Sequence, residues 1–413
     1  MNSTIVILNT ELEYDFLSAW LKYTRITNGI SQEALSYGVC SISHLSYFEN
    51  GKKRLRKEVI ETLLKKLNIE KIDNLANIGL MRQRLNTMMN NIESYNYEGA
   101  TIIYDELLKM ESIINQSPYS IEFKIYQLMY KSFVEDIDYN QLKDDITLLS
   151  KVFHSLNNNL KYLYLFVSGN ILYRHHLNEE GIDHLKQALI LKDTSWVNFI
   201  LGRALCFNEN PAKGSYYLEK ALDNYEKSGR YLNAVWCHNY LGVCFSYLRI
   251  YDNALKHFNA ALMSAKHFDM DTLFYHLYIN LSDFYLSNNK YEESIKWSKI
   301  AMENYNEGIL PVYNYISASI KLGNLEQCDI VFQKYLTDHY KSYKYYNAIY
   351  FLYLAVYRFN DDYFYHEVKT TILPYYEKVR KTDICRDIKL KLIDFLESKR
   401  RYKEANKLYK ELI

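Results

Sequence analysis

Turn-forming residues are scarce in this chain. It has only 4 prolines and 13 glycines among 413 residues, far below average usage. A chain so short of turn residues, and so rich in Leu, Lys, Glu, Ala and Tyr, reads as all-α. Charge of one sign is also missing. Lys plus Arg number 50 and Asp plus Glu 49, a net charge of +1. That excludes a body that coats nucleic acid along its length and confines any such contact to a local patch. The six cysteines, Cys40, Cys206, Cys237, Cys244, Cys328 and Cys385, form no C-x-x-C and meet no histidine at zinc spacing. They read as reduced core residues, with redox sensing as the alternative. Cys237 and Cys244 lie two turns apart on one helix, a packing spacing. No apolar run is long enough to span a membrane. Ile5–Leu8 is too short for a signal-peptide core, so a cytoplasmic protein is expected.

Catalytic motifs are missing too. The chain has no H-E-x-x-H, no glycine-rich phosphate loop and no G-x-S-x-G. On a helix, His175 and His176 would point about 100° apart, which suits no metal. Glu292-Glu293 and Asp361-Asp362 fall in expected turns and helix starts. The reading is a protein without enzymatic activity, cofactor or metal.

What the chain does contain begins near its N-terminus. Tyr14–Thr27 has helical spacing at Phe16, Leu17, Trp20, Leu21 and Ile26, and Asn28-Gly29 stops it. Ser31 is a good N-cap for a short helix, Gln32–Tyr37, with Ala34 and Leu35 facing inward. Gly38 permits a sharp turn. Ser41 then caps a further helix that Leu45 and Phe48 anchor, leaving Ser43, His44 and Tyr47 outward. In a helix-turn-helix the start of the second helix meets base edges. Ser and His can hydrogen-bond bases, and Tyr can reach a phosphate or a thymine methyl. Gln32 is placed for a phosphate. Lys52, Lys53, Arg54, Arg56 and Lys57 follow at once, a basic run where phosphate affinity is needed. Val59, Ile60, Leu63, Leu64 and Leu67 close the domain. The expected DNA-contacting set is Gln32, Ser41, Ser43, His44, Tyr47, Lys52, Lys53 and Arg54.

The rest of the chain repeats. Leu201-Gly202…Leu205…Gly214…Leu218…Ala221 recurs 40 residues later as Leu241-Gly242…Phe245…Ala254…Phe258…Ala261, and 40 later again as Leu281-Ser282…Tyr285…Ser294…Ser298…Ala301. An earlier copy is Gly169…Leu172…Gly181…Leu185…Ala188. Weaker copies surround Tyr97, Cys328 and Tyr402. Small residues mark close helix crossings, and the period approaches that of tetratricopeptide repeats. The expected fold is an N-terminal helix-turn-helix domain, residues 1–70, followed by a right-handed tetratricopeptide-like α-solenoid, residues 71–413. The first helix of each pair should line a concave surface suited to an extended peptide. Such a peptide has unpaired backbone amides, and asparagine can both donate to and accept from them. Aligning the repeats places Asn198, Asn239, Asn280 and Asn314 on those helices, with Asn170, Arg203, Trp236, His276 and Asp283 sharing the face. Asparagine is abundant throughout, so chance recurrence is the competing explanation. Most of the 42 tyrosines are expected as core aromatics.

Residues 14–68 resemble the Cro/repressor-type helix-turn-helix family, through Leu21…Arg25…Ile30-Ser31-Gln32-Glu33-x-Leu35 and Ser41-Ile42-Ser43-His44-Leu45-Ser46-Tyr47-Phe48-Glu49-Asn50-Gly51. Cys40 departs from the small or aliphatic residue usual at that turn position. The Cys40–Ser46 string looks like the version carried by peptide-pheromone regulators. Head and body together resemble the RRNPP family of such regulators. The resemblance implies a transcription regulator that senses a short re-imported signalling peptide (quorum sensing), binds double-stranded operator DNA and forms a homodimer through its body. The alternative is an interaction protein whose solenoid sequesters a partner such as a response regulator.

Overall fold

The structure, a computed structural model, describes residues 11–69, 75–135, 137–208, 210–268, 270–305, 308–343, 345–378 and 382–412. The described residues contain helices and turns and no β-strand. The expected boundary at residues 70 and 71, and the Ile5–Leu8 stretch, lie outside them. The chain divides into two compact units, Met1–Cys244 and Phe245–Ile413.

The first unit opens with α1 (Glu11–Thr27), α2 (Gln32–Ser36), α3 (Ile42–Glu49) and α4 (Lys57–Lys66). Leu17, Trp20, Leu21, Leu35, Leu45, Phe48, Ile60, Leu63 and Leu64 form their common core. The cap serines act as their spacing requires: Ser31 Oγ accepts from the Ala34 amide and Ser41 Oγ from the His44 amide. Each satisfies one of the orphan donors at a helix start. Gly38 has φ +71°, which a side chain rarely adopts. Ala34 differs from expectation. It is exposed, and Ser36 is buried beside Leu35 instead. A helix of five residues has room for one inward turn, and Leu35 and Ser36 occupy it.

Next come α5 (Leu75–Glu93), α6 (Tyr97–Leu108), α7 (Glu111–Asn115), α8 (Ser120–Phe133) and α9 (Tyr139–Val152), then a 3-10 turn, Phe153–Ser155. The helical pairs α10 (Asn158–Arg174) with α11 (Asn178–Leu191), and α12 (Ser195–Phe207) with α13 (Pro211–Lys227), follow, and α14 (Tyr231–Tyr247) spans the division. The glycines are where the pairs touch. A Cβ on Gly181 would lie 2.6 Å from the Tyr173 amide nitrogen, and one on Gly214 2.8 Å from that of Cys206. Backbone meets backbone there, so no side chain fits.

The second unit contains α15 (Tyr251–His267), α16 (Asp271–Ser287), α17 (Tyr291–Asn304), α18 (Leu310–Lys321), α19 (Leu325–Tyr335) and α20 (Tyr346–Tyr357). It ends with α21 (Asp362–Glu367), a π turn over Val368–Ile372, α22 (Leu373–Lys378), α23 (Thr382–Ser398) and α24 (Tyr402–Lys410). Here serine replaces glycine at the crossing. Ser282 Oγ lies 2.6 Å from Ser298 Oγ, and Ser294 Oγ donates to the Ser282 carbonyl at 2.9 Å. Small size serves packing, and the hydroxyls satisfy one another. All six cysteines are free; Cys206, Cys237, Cys244 and Cys328 are buried. Burial pushes the Cys206 and Cys237 thiols well up, which makes them poor nucleophiles.

Candidate nucleic-acid interface and peptide-binding face

On α3, Leu45 and Phe48 point into the core while Ser41, Ser43, His44 and Tyr47 are exposed, Tyr47 by 51%. Lys52, Lys53 and Arg54 are exposed in the turn that follows. Lys53 Nζ comes within 3.3 Å of His44 Nε2, which joins the basic turn to the outward face of α3. One side of this helix therefore offers hydroxyls, an imidazole, a phenol and cations together.

The opposite side is held by a pair that the sequence reading passed over. Glu49 is wholly buried, and Arg25 Nε and Nη2 donate to its two oxygens at 2.6 and 2.8 Å. Arg25 Nη1 also donates to the Ile30 carbonyl at 2.9 Å, which fixes the start of α2. Gln32 was expected at a phosphate. Its Nε2 instead donates to Glu49 at 2.7 Å, so its side chain braces α2 against α3. The signal for Glu49 was its position: it follows Phe48 and lies four residues from Leu45, on the apolar face.

Helix α1 also meets the body. The rings of Phe16 and Tyr119 lie 5.1 Å apart, with the Arg82 guanidinium 5.1 and 5.4 Å from their centres. Arg82 pairs with Glu122 at 3.0 Å. Burial still raises the Glu122 carboxyl above its usual range, and Arg82 partly offsets that. The Ser155 hydroxyl donates to the Glu49 carbonyl.

The residues expected on a peptide face are distributed unevenly. Asn170 is buried and bridges: its Nδ2 donates to Ser132 Oγ at 3.2 Å and its Oδ1 accepts from Arg203 Nη2 at 3.2 Å. Trp236 stacks on Tyr95 at 5.5 Å and on Tyr240 at 6.1 Å. Asn198 is fully buried and its amide donates to Asp193 Oδ1 and the Thr194 carbonyl, at the start of its own helix. Asn239 and Asn314 are fully buried as well. These three, like Asn170, were expected to line an open surface. On α12 every residue from Trp196 to Gly202 is buried, so that helix is enclosed around Asn198. In the second unit, His276 and Asp283 are exposed on α16 and Asn280 is half-buried.

Other residues gather here that the repeat alignment did not select. The α5–α6 turn reaches α13 and α14. Arg230 pairs with Glu93 at 2.6 Å, Tyr225 donates to the same carboxylate at 3.0 Å, and Asn233 donates to the Glu93 carbonyl at 2.7 Å. Tyr95 takes φ +60° to reach Trp236. Beside this turn is a cavity of about 120 Å³ lined by Met89, Glu93, Tyr162, Lys192 and Trp196, among others.

No known family profile matches the chain. A transcriptional activator, NprA of Geobacillus stearothermophilus, is 22% identical over 415 residues, covering 90% of this chain and 96% of that one. The crystal structure of NprR in complex with its cognate peptide NprX superposes with a TM-score of 0.62 at 20% identity, over 80% of this chain and 97% of NprR. In fold, this is a helical-repeat protein like NprR. A Rap protein complexed with Competence and Sporulation Factor gives a TM-score of 0.67 at 15% identity, over 81% of this chain and 96% of its own. Within this fold, the Arg203–Asn170 bridge and the Trp236 stack lie on first helices of successive pairs. No described helix is long and apolar enough to cross a membrane.

Proposed function

We propose that this chain is a sequence-specific DNA-binding transcriptional regulator whose helical repeats sense a short signalling peptide. The observation that carries the reading is the exposed face of α3 with its adjoining basic turn, on a body that shares its fold with a peptide-bound NprR. The match to the activator NprA along 90% of the chain supports the same assignment. In this reading residues 1–70 bind operator DNA and residues 71–413 bind peptide and pair two copies. Ser43, His44 and Tyr47 read bases. Lys52, Lys53 and Arg54 hold phosphates, and Ser41 presents the helix start. Gln32 acts by bracing the pair of helices. Arg203, half-buried, forms the accessible part of the peptide face in the first unit, with the buried Asn170 and Trp236 beside it, and His276, Asn280 and Asp283 form it in the second. Asn198, Asn239 and Asn314 support it from within. The protein works without catalysis, in the cytoplasm.

Control is a population shift. The peptide must bind one arrangement of the repeats better than another, and that difference sets operator affinity. Synthetic peptides encoded by short reading frames beside the gene test this. One of them shifts operator affinity at least about fivefold, a coupling of about 1 kcal/mol. If none does, the second reading gains: a solenoid that sequesters a partner protein, which the Rap superposition favours.

A further inference from the structure

Arg203 is a half-buried cation with no counter-ion among the described residues. Its Nη2 donates to Asn170, but its Nε is hidden from solvent and meets no hydrogen-bond acceptor. Its guanidinium stands 5.9 Å from the Tyr173 ring centre and 6.0 Å from that of Tyr240. Among the described residues no carboxylate pairs with it. The carboxylate on the nearby α5–α6 turn, Glu93, is taken by Arg230 and Tyr225. The surrounding phenols cannot serve as anions either. Burial pushes the Tyr173 phenol up to about 12 and Tyr95 well above its ordinary range, so both stay protonated. A half-buried charge without a counter-ion is unfavourable, and a guanidinium whose Nε is left without an acceptor is shaped for a planar anion.

We propose that Arg203 receives a carboxylate of the bound peptide, with Asn170 and the phenols of Tyr95, Tyr173 and Tyr240 around it. The proposal rests on the peptide-sensing reading and adds the chemistry of the anchor. Every peptide with a free C-terminus carries such a group, and acidic side chains carry another. Because Tyr95 comes from the α5–α6 turn, the anchor joins the repeat helices to that turn.

The test uses full-length protein, immobilised, and a pool of short random synthetic peptides, half with free and half with amidated C-termini. Retained peptides are read by mass spectrometry for the wild type, Arg203→Met and Arg203→Lys. The wild type retains carboxylate-bearing peptides about tenfold over neutral ones, the size of one charge-assisted contact. R203K keeps part of that preference. R203M loses it without a fall in melting temperature, since the fold gives this charge no carboxylate to pair with. Equal retention of acidic and neutral peptides by the wild type overturns the proposal and leaves peptide sensing standing. So does R203M with an intact preference, or R203M with a lowered melting temperature. Retention of no peptide at all removes the peptide-sensing reading and this anchor together.

Discussion

The Ser155 hydroxyl donates to the backbone carbonyl of Glu49, the last residue of α3, and both residues are buried. The proposed recognition helix is thus tied at its C-terminal end to the turn between α9 and α10. Ser155→Ala leaves the Glu49 carbonyl without this donor, a loss of about 1 kcal/mol. Hydrogen exchange should quicken at the end of α3 and stay unchanged across α12 and α13. Uniform quickening would mean that Ser155 supports the whole unit.

The Glu49 side chain makes a separate prediction. Arg25 makes the ion pair with its carboxylate, and Lys22 adds an attraction from farther off. Arg25→Met leaves a buried charge unpaired and should destabilise the head by about 3–5 kcal/mol. Exchange across α1–α4, followed by mass spectrometry, measures it. Little change would show that Glu49 is neutralised some other way.

Base readout and phosphate contact are separable. His44→Ala or Tyr47→Ala should weaken specific binding by about 1–3 kcal/mol and spare non-specific binding. Lys53→Ala should weaken both alike and lower the salt slope by about 1. His44, Tyr47 and Lys53 are all exposed, so none of these changes should alter folding. Equal losses on specific and random DNA for His44→Ala would argue against base reading by α3.

Much of this was legible in the chain, and the reason is locality. Ser31, Ser41, Leu45 and Phe48 belong to single helical turns, and Gly181 and Gly214 to single hairpins. Their roles follow from spacing a few residues long. The Arg25–Glu49 pair, the Glu93–Arg230 pair and the Tyr95–Trp236 stack join distant segments, and no local period encodes them. The asparagines fall between. Their recurrence was visible, but α12 and α14 are buried on nearly all sides. In such helices apolar periodicity disappears, so spacing cannot tell a groove residue from an enclosed one.

Gly214 should tolerate no side chain. A Cβ there would lie 2.8 Å from the Cys206 nitrogen and from the Gly202 carbonyl oxygen. Gly214→Ala must push α12 from α13, at about 1–3 kcal/mol. A melting curve checks it, and an unchanged midpoint would mean that the crossing is looser than described.

His184 gives the protein an acid-side dependence. Its Nδ1 lies 2.9 Å from Ser168 Oγ, and burial lowers its pKa below 6.5, with Glu180 and Asp183 partly opposing. The folded chain therefore resists a proton that the unfolded chain accepts. Stability is full above pH 6.5 and falls as the pH drops through that value, levelling off below the folded pKa. His184→Gln should flatten this part of the melting profile between about pH 7.5 and 5.5. A profile unchanged by the substitution would assign the dependence to other groups.

The central claim is sequence-specific DNA binding by the head. Fluorescence polarisation of the full-length protein on DNA from upstream of its own gene, with unrelated DNA as competitor, tests it most directly. The account predicts binding that survives the competitor, in the apo protein or once a neighbouring peptide is added. Binding that is weak, salt-sensitive and equal on both DNAs, with and without those peptides, would contradict it.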